Sequence, residues 1–534
     1  MAPKRANSAS HHESNHLADP MASSSGSFAW HPEPQLIGYR DLNARAALEE
    51  LGSAAWHVAL KYLYEEESRR PVAPESYSEV RHHLFGEQGF PDRAPLNPTS
   101  SAEVLREFEH RLAPRQFNSA HPRAFAYFTP PPLVMSIVGE LLAQWLNQSV
   151  DLWQAAPSAT LIEEEVVAWL LDLLGTSRVG WGVLTSGGIM SNIMAMTLAR
   201  DIHLTRLLGL PKGKRPRGKA LEHVRVYTSD QAHFSIARAL NILGFPSETL
   251  HLVPSDGLFR LQADPVAEAI SADRMVGHLP LAIVATAGST NTGSVDGITS
   301  LAALSAREGL WLHVDAAYGG AALLSGRDRH RVPGLDLADS VAIDPHKWFF
   351  QPCDIAALLV RRREDLRSCF WSRPEYYRAS QSSEAALNWY EYSIEGTRRF
   401  RALKLWMSWK HLGTTGLGRL VEQNNDLAAY LSRRVSDSPM FEAVPPQPEL
   451  SVVCFRHLPH GTQNAEGENP DKVDRHQELL QRALAISGEA WVSTTRLRGR
   501  TYLRAGILNY FSTEDDIDRL LEALIHLGSD LWAP

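Results

Sequence analysis

The chain has 534 residues, 44% of them hydrophobic and 21% charged, with a formal net charge of −8. That balance suits a globular chain with ample apolar material for a large core, and it excludes a broadly basic nucleic-acid binder. No apolar run approaches the roughly 20 residues that a membrane span needs, and the three cysteines, without paired spacing, exclude a disulfide framework and a cysteine zinc site. In chain order, residues 1–35 are rich in Ser, His, Ala and Asn, lack the apolar core of a secretory signal, and read as a disordered leader in which Met21 offers an alternative start. From Tyr39 to Glu66 apolar residues recur at helical spacing. Pro71, Pro74, Pro91, Pro95 and Pro98 then mark an irregular connection, followed by a second helix over 101–112. The aromatic, Pro-rich HPRAFAYFTPPP at 121–132 predicts a fixed loop. Beyond 134, helices alternate with short apolar runs at 224–228, 281–286, 311–314, 340–343 and 356–360, the pattern of a largely parallel sheet covered by helices on both faces. The basic run KGKRPRGK at 212–219 reads as a solvated loop. A long helix near 400–412 leaves this domain, and the remainder, with a polar loop at 457–474, reads as a smaller C-terminal domain.

Four short segments carry chemistry. Asp344-Pro345-His346-Lys347-Trp348 follows the run SVAI, and a lysine at a strand end can form a Schiff base with an aldehyde cofactor once its pKa is lowered. Asp315 ends the run WLHV, where a carboxylate can pair with a protonated pyridine nitrogen; Ala316, Ala317, Gly319 and Gly320 leave room for a flat ring. Strand, glycine turn and helix in sequence at Thr185-Ser186-Gly187-Gly188 present backbone N–H groups and a positive dipole end to a phosphate. His233 follows VRVYT and could stack on a bound ring. Taken singly, each has an ordinary structural explanation; their order along one predicted sheet is the signal.

This ordered set, with TRRFRALKLW at 397–406, resembles the group II pyridoxal-phosphate decarboxylases, the family of aromatic-L-amino-acid, histidine and glutamate decarboxylases, from about Tyr39 to the end. The resemblance implies an α/β fold, the aspartate-aminotransferase-like fold type I of PLP-dependent transferases, with a mostly parallel central sheet. It implies an N-terminal helical, dimer-wrapping segment at 36–133, a large PLP-binding domain at 134–404 and a small C-terminal α+β domain at 405–534. It also implies pyridoxal 5′-phosphate as cofactor, no metal, no nucleic-acid or membrane partner, a homodimer with active sites at the subunit interface, and a cytoplasmic setting. By the same resemblance Lys347 holds the cofactor, Asp315 its ring nitrogen, Ala317 and His233 its two faces, with Ser186, Gly187, Gly188, Thr290 and His346 around it. The reaction implied is decarboxylation of an L-amino acid to its amine, with Tyr376 delivering the proton to Cα; Tyr377 beside it leaves the register open by one.

Two positions depart from the family's pattern. Ile189 stands where a hydroxyl is common in the phosphate loop, and Asp344 where the aromatic branch often has Asn, an acid best pointed away from a phosphate. Tyr127 and Phe128 match residues lining the side-chain pocket and favour an aromatic or apolar substrate, whereas Asp151, where an apolar residue of the partner subunit is usual, would favour a cationic one if it entered the pocket. The alternatives are an aldehyde synthase, disfavoured by Tyr376, another PLP lyase or aminotransferase, for which no carboxylate-gripping Arg is identifiable, and a non-catalytic scaffold, disfavoured because Lys347 and Asp315 are both kept.

Overall fold

A computed structural model describes residues 42–64, 70–87, 90, 93–176, 178–211, 213–372, 375, 386–459 and 469–532. The expected leader, Tyr376 and Tyr377, and residues 460–468 of the polar loop lie outside this range. The apolar runs become seven strands: β1 Trp181–Thr185, β2 Val224–Ser229, β3 Leu250–Val253, β4 Leu279–Thr286, β5 Trp311–Asp315, β6 Ser340–Ile343 and β7 Ala356–Val360. They form one sheet in the order β1-β7-β6-β5-β4-β2-β3. Pairings from β3 through β2, β4 and β5 to β6 are parallel, and β7 runs antiparallel to both β6 and β1. β1, β5, β6 and β7 are buried throughout, which explains why they read as unbroken apolar runs instead of alternating ones.

The reversal at β7 makes the segment between β6 and β7 a loop that doubles back at the carboxyl edge of the sheet, and this loop carries Lys347. The TRRFRALKLW motif clamps it. Arg399 and Arg401 pair with Asp354 at 2.9 and 3.3 Å, and the fully buried Lys404 donates to Pro352 O at 2.9 Å while pairing with Glu140 at 2.8 Å. Arg398, also fully buried, pairs with Glu163 and donates to Leu184 O at 2.7 Å, fastening the motif to β1.

The expected long helix runs from Ala402 to Asp437, with an interruption at Gly413 (φ 67°), and spans the 404/405 boundary drawn from the sequence. Leu405, Leu417 and Val421 on it join the core of the large sheet; Leu427, Leu431 and Val435 join a second core. That second core lies between the helices Pro470–Ser487 and Glu514–Trp532 and an antiparallel sheet of β8 Phe441–Ala443, β9 Val452–His457, β10 Ser493–Leu497 and β11 Arg500–Gly506, ordered β10-β11-β9-β8. The basic run is the solvated loop expected of it, with Lys214, Arg215, Arg217 and Lys219 exposed. Arg215 and Arg217 fold back onto the buried Asp201 at 3.4 and 2.9 Å, because a carboxylate out of water must be paired. Among the described residues no helix is long and apolar enough to cross a membrane.

Candidate active site

Loops at the carboxyl ends of β1, β2, β4, β5 and β6 converge on one cavity of about 610 Å³. The helix Gly188–Leu198 starts directly at its edge, so first-turn N–H groups that have no carbonyl partner within the helix face this region. Gly188 leaves space for Asp344: a Cβ there would lie 2.7 Å from Asp344 Oδ2. That oxygen sits 3.1 Å from Lys347 Nζ and 3.7 Å from His346 Nε2, while Oδ1 is buried without a hydrogen-bond partner among the described residues. His346 Nδ1 donates to Ile355 O at 2.6 Å, and burial lowers the pKa of His346 below the ordinary imidazole value.

Asp315 is buried at the end of β5. Its Oδ1 accepts from Ala317 N at 3.1 Å and its Oδ2 from Asn192 Nδ2 at 2.8 Å. His233 Nδ1 meets Ser235 Oγ at 2.8 Å, and burial lowers the pKa of His233 as well. The apolar wall is a stack: Phe128 on Tyr318, with ring centroids 4.5 Å apart, and Tyr318 on Trp348 at 4.9 Å.

Of the residues expected from the sequence, Phe128, Ser186, Gly187, Gly188, His233, Thr290, Asp315, Ala317, His346 and Lys347 all line this cavity. Tyr127 is not in the lining; it is 57% exposed and packs edge-on against Trp491. Asp151 is also outside the lining, buried beside Tyr390, whose N–H donates to Asp151 O at 3.3 Å. Asn192, Phe234, Cys353 and Asp354 line the cavity without having been assigned a role. Asn192 had a legible signal, since four residues after Gly188 on a helix puts both on one face. Arg504 had none. It is buried against the Phe128 ring, 4.5 Å from Cζ to centroid; Nε donates to Thr290 O at 2.7 Å and Nη1 to Ala126 O at 3.0 Å, leaving Nη2 unpartnered among the described residues. The structure therefore supplies an arginine beside the site, where none was identifiable in the sequence.

Residues 85–458 match the family model described as the pyridoxal-dependent decarboxylase conserved domain. The chain belongs to the pyridoxal-dependent decarboxylase family. This decarboxylase is 30% identical to an aromatic-L-amino-acid decarboxylase of Bacillus atrophaeus, covering 91% of this chain and 96% of the relative. It is 34% identical to an L-2,4-diaminobutyrate decarboxylase of Rhizobium meliloti (strain 1021), over 82% and 84% of the two chains. Among solved structures it is similar to Oryza sativa TDC with PLP and tryptamine, with a TM-score of 0.82 and 27% identity over 93% of this chain and 100% of that one. The decarboxylase is a carboxy-lyase of fold type I, and its cofactor is pyridoxal 5′-phosphate. The cavity fits that group. It offers an amine for the aldehyde, a buried carboxylate for the pyridine nitrogen, an imidazole and a methyl for the ring faces, and a helix start for the phosphate.

Proposed function

We propose that this enzyme decarboxylates an aromatic or apolar L-amino acid to the corresponding amine. When bound, pyridoxal phosphate supplies the electron sink that accepts the pair left on Cα as CO₂ departs. Lys347 would hold the cofactor, Asp315 its ring nitrogen, and Tyr376, by the family resemblance, would return a proton to Cα. The observation that carries the substrate reading is the commitment of the acids in the lining. Asp315 is held by Asn192 and Ala317, and Asp354 by Arg399 and Arg401. Asp344, paired with Lys347 until the cofactor is taken up, lies against Gly188 at the phosphate end of the cavity, while Phe128, Tyr318, Ile189, Met190, Ile193 and Phe234 offer apolar contact. A cationic substrate is the second reading, favoured by the diaminobutyrate-named relative at 34% identity. The enzyme is further read as a cytoplasmic homodimer, in keeping with three free cysteines and the exposed Leu141, Leu142 and Trp145 on the helix Val134–Leu146.

The test is to offer the protein, with added pyridoxal phosphate, the standard L-amino acids plus dopa, ornithine and 2,4-diaminobutyrate, recording CO₂ and the organic product together. Amine and CO₂ from an aromatic or apolar substrate, abolished in Lys347→Ala, is the expected result. Turnover confined to diaminobutyrate or ornithine would overturn the substrate reading. Tyr376→Phe should slow amine formation by roughly a hundredfold or more and divert product to aldehyde, within the ~10²–10⁴-fold range of general-acid contributions; unchanged amine output would remove Tyr376 from its role.

A further inference from the structure

One buried hydrogen-bonded chain joins the ring-nitrogen acid to the ring-stacking histidine, and its donors and acceptors can be assigned without ambiguity. Asn192 Nδ2 lies 2.8 Å from Asp315 Oδ2 and 2.8 Å from Ser235 Oγ, so both amide hydrogens are used. The opposite orientation of the amide would set its carbonyl against a carboxylate oxygen, acceptor to acceptor. Asn192 Oδ1 therefore faces His313 Nε2 at 2.9 Å, and His313 must carry its proton there. Its Nδ1 then accepts from the Ser340 hydroxyl at 2.9 Å, and Ser340 Oγ accepts from Trp311 Nε1 at 3.0 Å. His313 is fully buried, and burial pushes its pKa down to about 4, so the neutral ring demanded by these contacts is the one present near neutral pH.

The other branch has the same logic. Ser235 Oγ accepts from Asn192, so its own proton goes to His233 Nδ1 at 2.8 Å; the Ser235 backbone N–H, 3.3 Å away, supports the same nitrogen as acceptor. With Nδ1 occupied as an acceptor, neutral His233 holds its proton on Nε2, which has no partner among the described residues although the ring lines the cavity.

We propose that Asn192 and Ser235 are positioning residues that set the tautomer of His233, making it a donor from Nε2 into the active-site cavity. Any group docking against that edge then meets a donor, as the carboxylate of an amino acid requires. The device ties two functions to one amide: Asn192, itself held in place by His313, orients Asp315 and through Ser235 fixes His233. The inference rests on the assignment of this cavity as the cofactor site and not on which amino acid is decarboxylated.

Neutron diffraction from the perdeuterated holoenzyme tests it directly. Deuterium is expected on Nε2 of both His233 and His313, and on both positions of Asn192 Nδ2. Deuterium on His233 Nδ1, with cofactor bound, would overturn the proposal while leaving the cofactor site intact; failure to bind pyridoxal phosphate would instead overturn the site assignment. The variants supply a second readout. Ser235→Ala should raise KM at least fivefold with little change in the visible absorption of the bound cofactor, and Ser235→Thr, which keeps the hydroxyl, should restore KM. Equal losses in both serine variants would mean that Ser235 serves packing alone, against the proposal.

Discussion

Asp344 places a carboxylate at the phosphate-binding loop, and the lysine paired with it must leave it to take up the cofactor. One oxygen pairs with Lys347 Nζ at 3.1 Å and the other is buried without a hydrogen-bond partner among the described residues. Two unit charges about 4–6 Å apart interact by roughly 3–4 kcal/mol at an effective dielectric of 20, and the lost lysine pair offsets part of this. Asp344→Asn should therefore bind pyridoxal phosphate about tenfold more tightly, read by absorbance titration of the apoenzyme; weaker binding would show that the carboxylate serves as a ligand and not as an opposing charge. At this scale the sequence was legible where chemistry sits beside a strand end, as with Asp315 and Lys347. It was silent on Arg504, whose contact with Thr290 spans 214 residues and depends on how β11 packs across the cavity.

Elements were legible where a hydrophobic run is buried on both faces, so SVAI and AALLV were recognised in full. Strand direction is not written in such runs. β7 turns back because the connection from β6, residues 344–355, holds no crossover helix, and a parallel return usually needs one. The short β3 passed unnoticed because it lies at the sheet edge and is only partly buried. In the C-terminal domain, β9 and the helix Pro470–Ser487 meet through His457 Nδ1 and His476 Nε2, 2.9 Å apart and both buried. Burial lowers both pKa values from 6.5 to about 4, aided at His457 by the charge that His476 can carry and at His476 by Lys472. Between those values the unfolded chain binds protons that the folded chain refuses. The stability this contact contributes is therefore complete above pH 6.5 and declines as pH falls toward 4. The melting temperature should fall by several degrees from pH 7 to pH 5, and His476→Gln should flatten that fall. Parallel pH profiles for the two proteins would refute the assignment.

At the scale of the whole molecule, the alternation of helices and strands made the α/β class legible, but the surface was not. The helix Val134–Leu146 shows why. Ser136, Gly139 and Ala143 form its buried, small-residue face; a Cβ on Gly139 would lie 2.7 Å from Lys404 Cα, so the two helices touch backbone to backbone. The opposite face carries Val134, Leu141, Leu142, Trp145 and Leu146, each more than 40% exposed. A continuous apolar stripe of this kind calls for a cover, and it begins beside Leu133, whose N–H donates to Phe350 O in the loop that carries Lys347. A second copy packed on this stripe would thus brace the lysine loop as well as bury the stripe. Disrupting it should cost activity without unfolding the chain. Leu141→Asp combined with Trp145→Asp is expected to shift sedimentation from dimer to monomer and lower kcat at least tenfold, with the far-ultraviolet circular dichroism preserved. A variant that stays dimeric and fully active would mean that the stripe faces some other partner, and that the lysine loop is braced from within one chain by Asp354 and its two arginines.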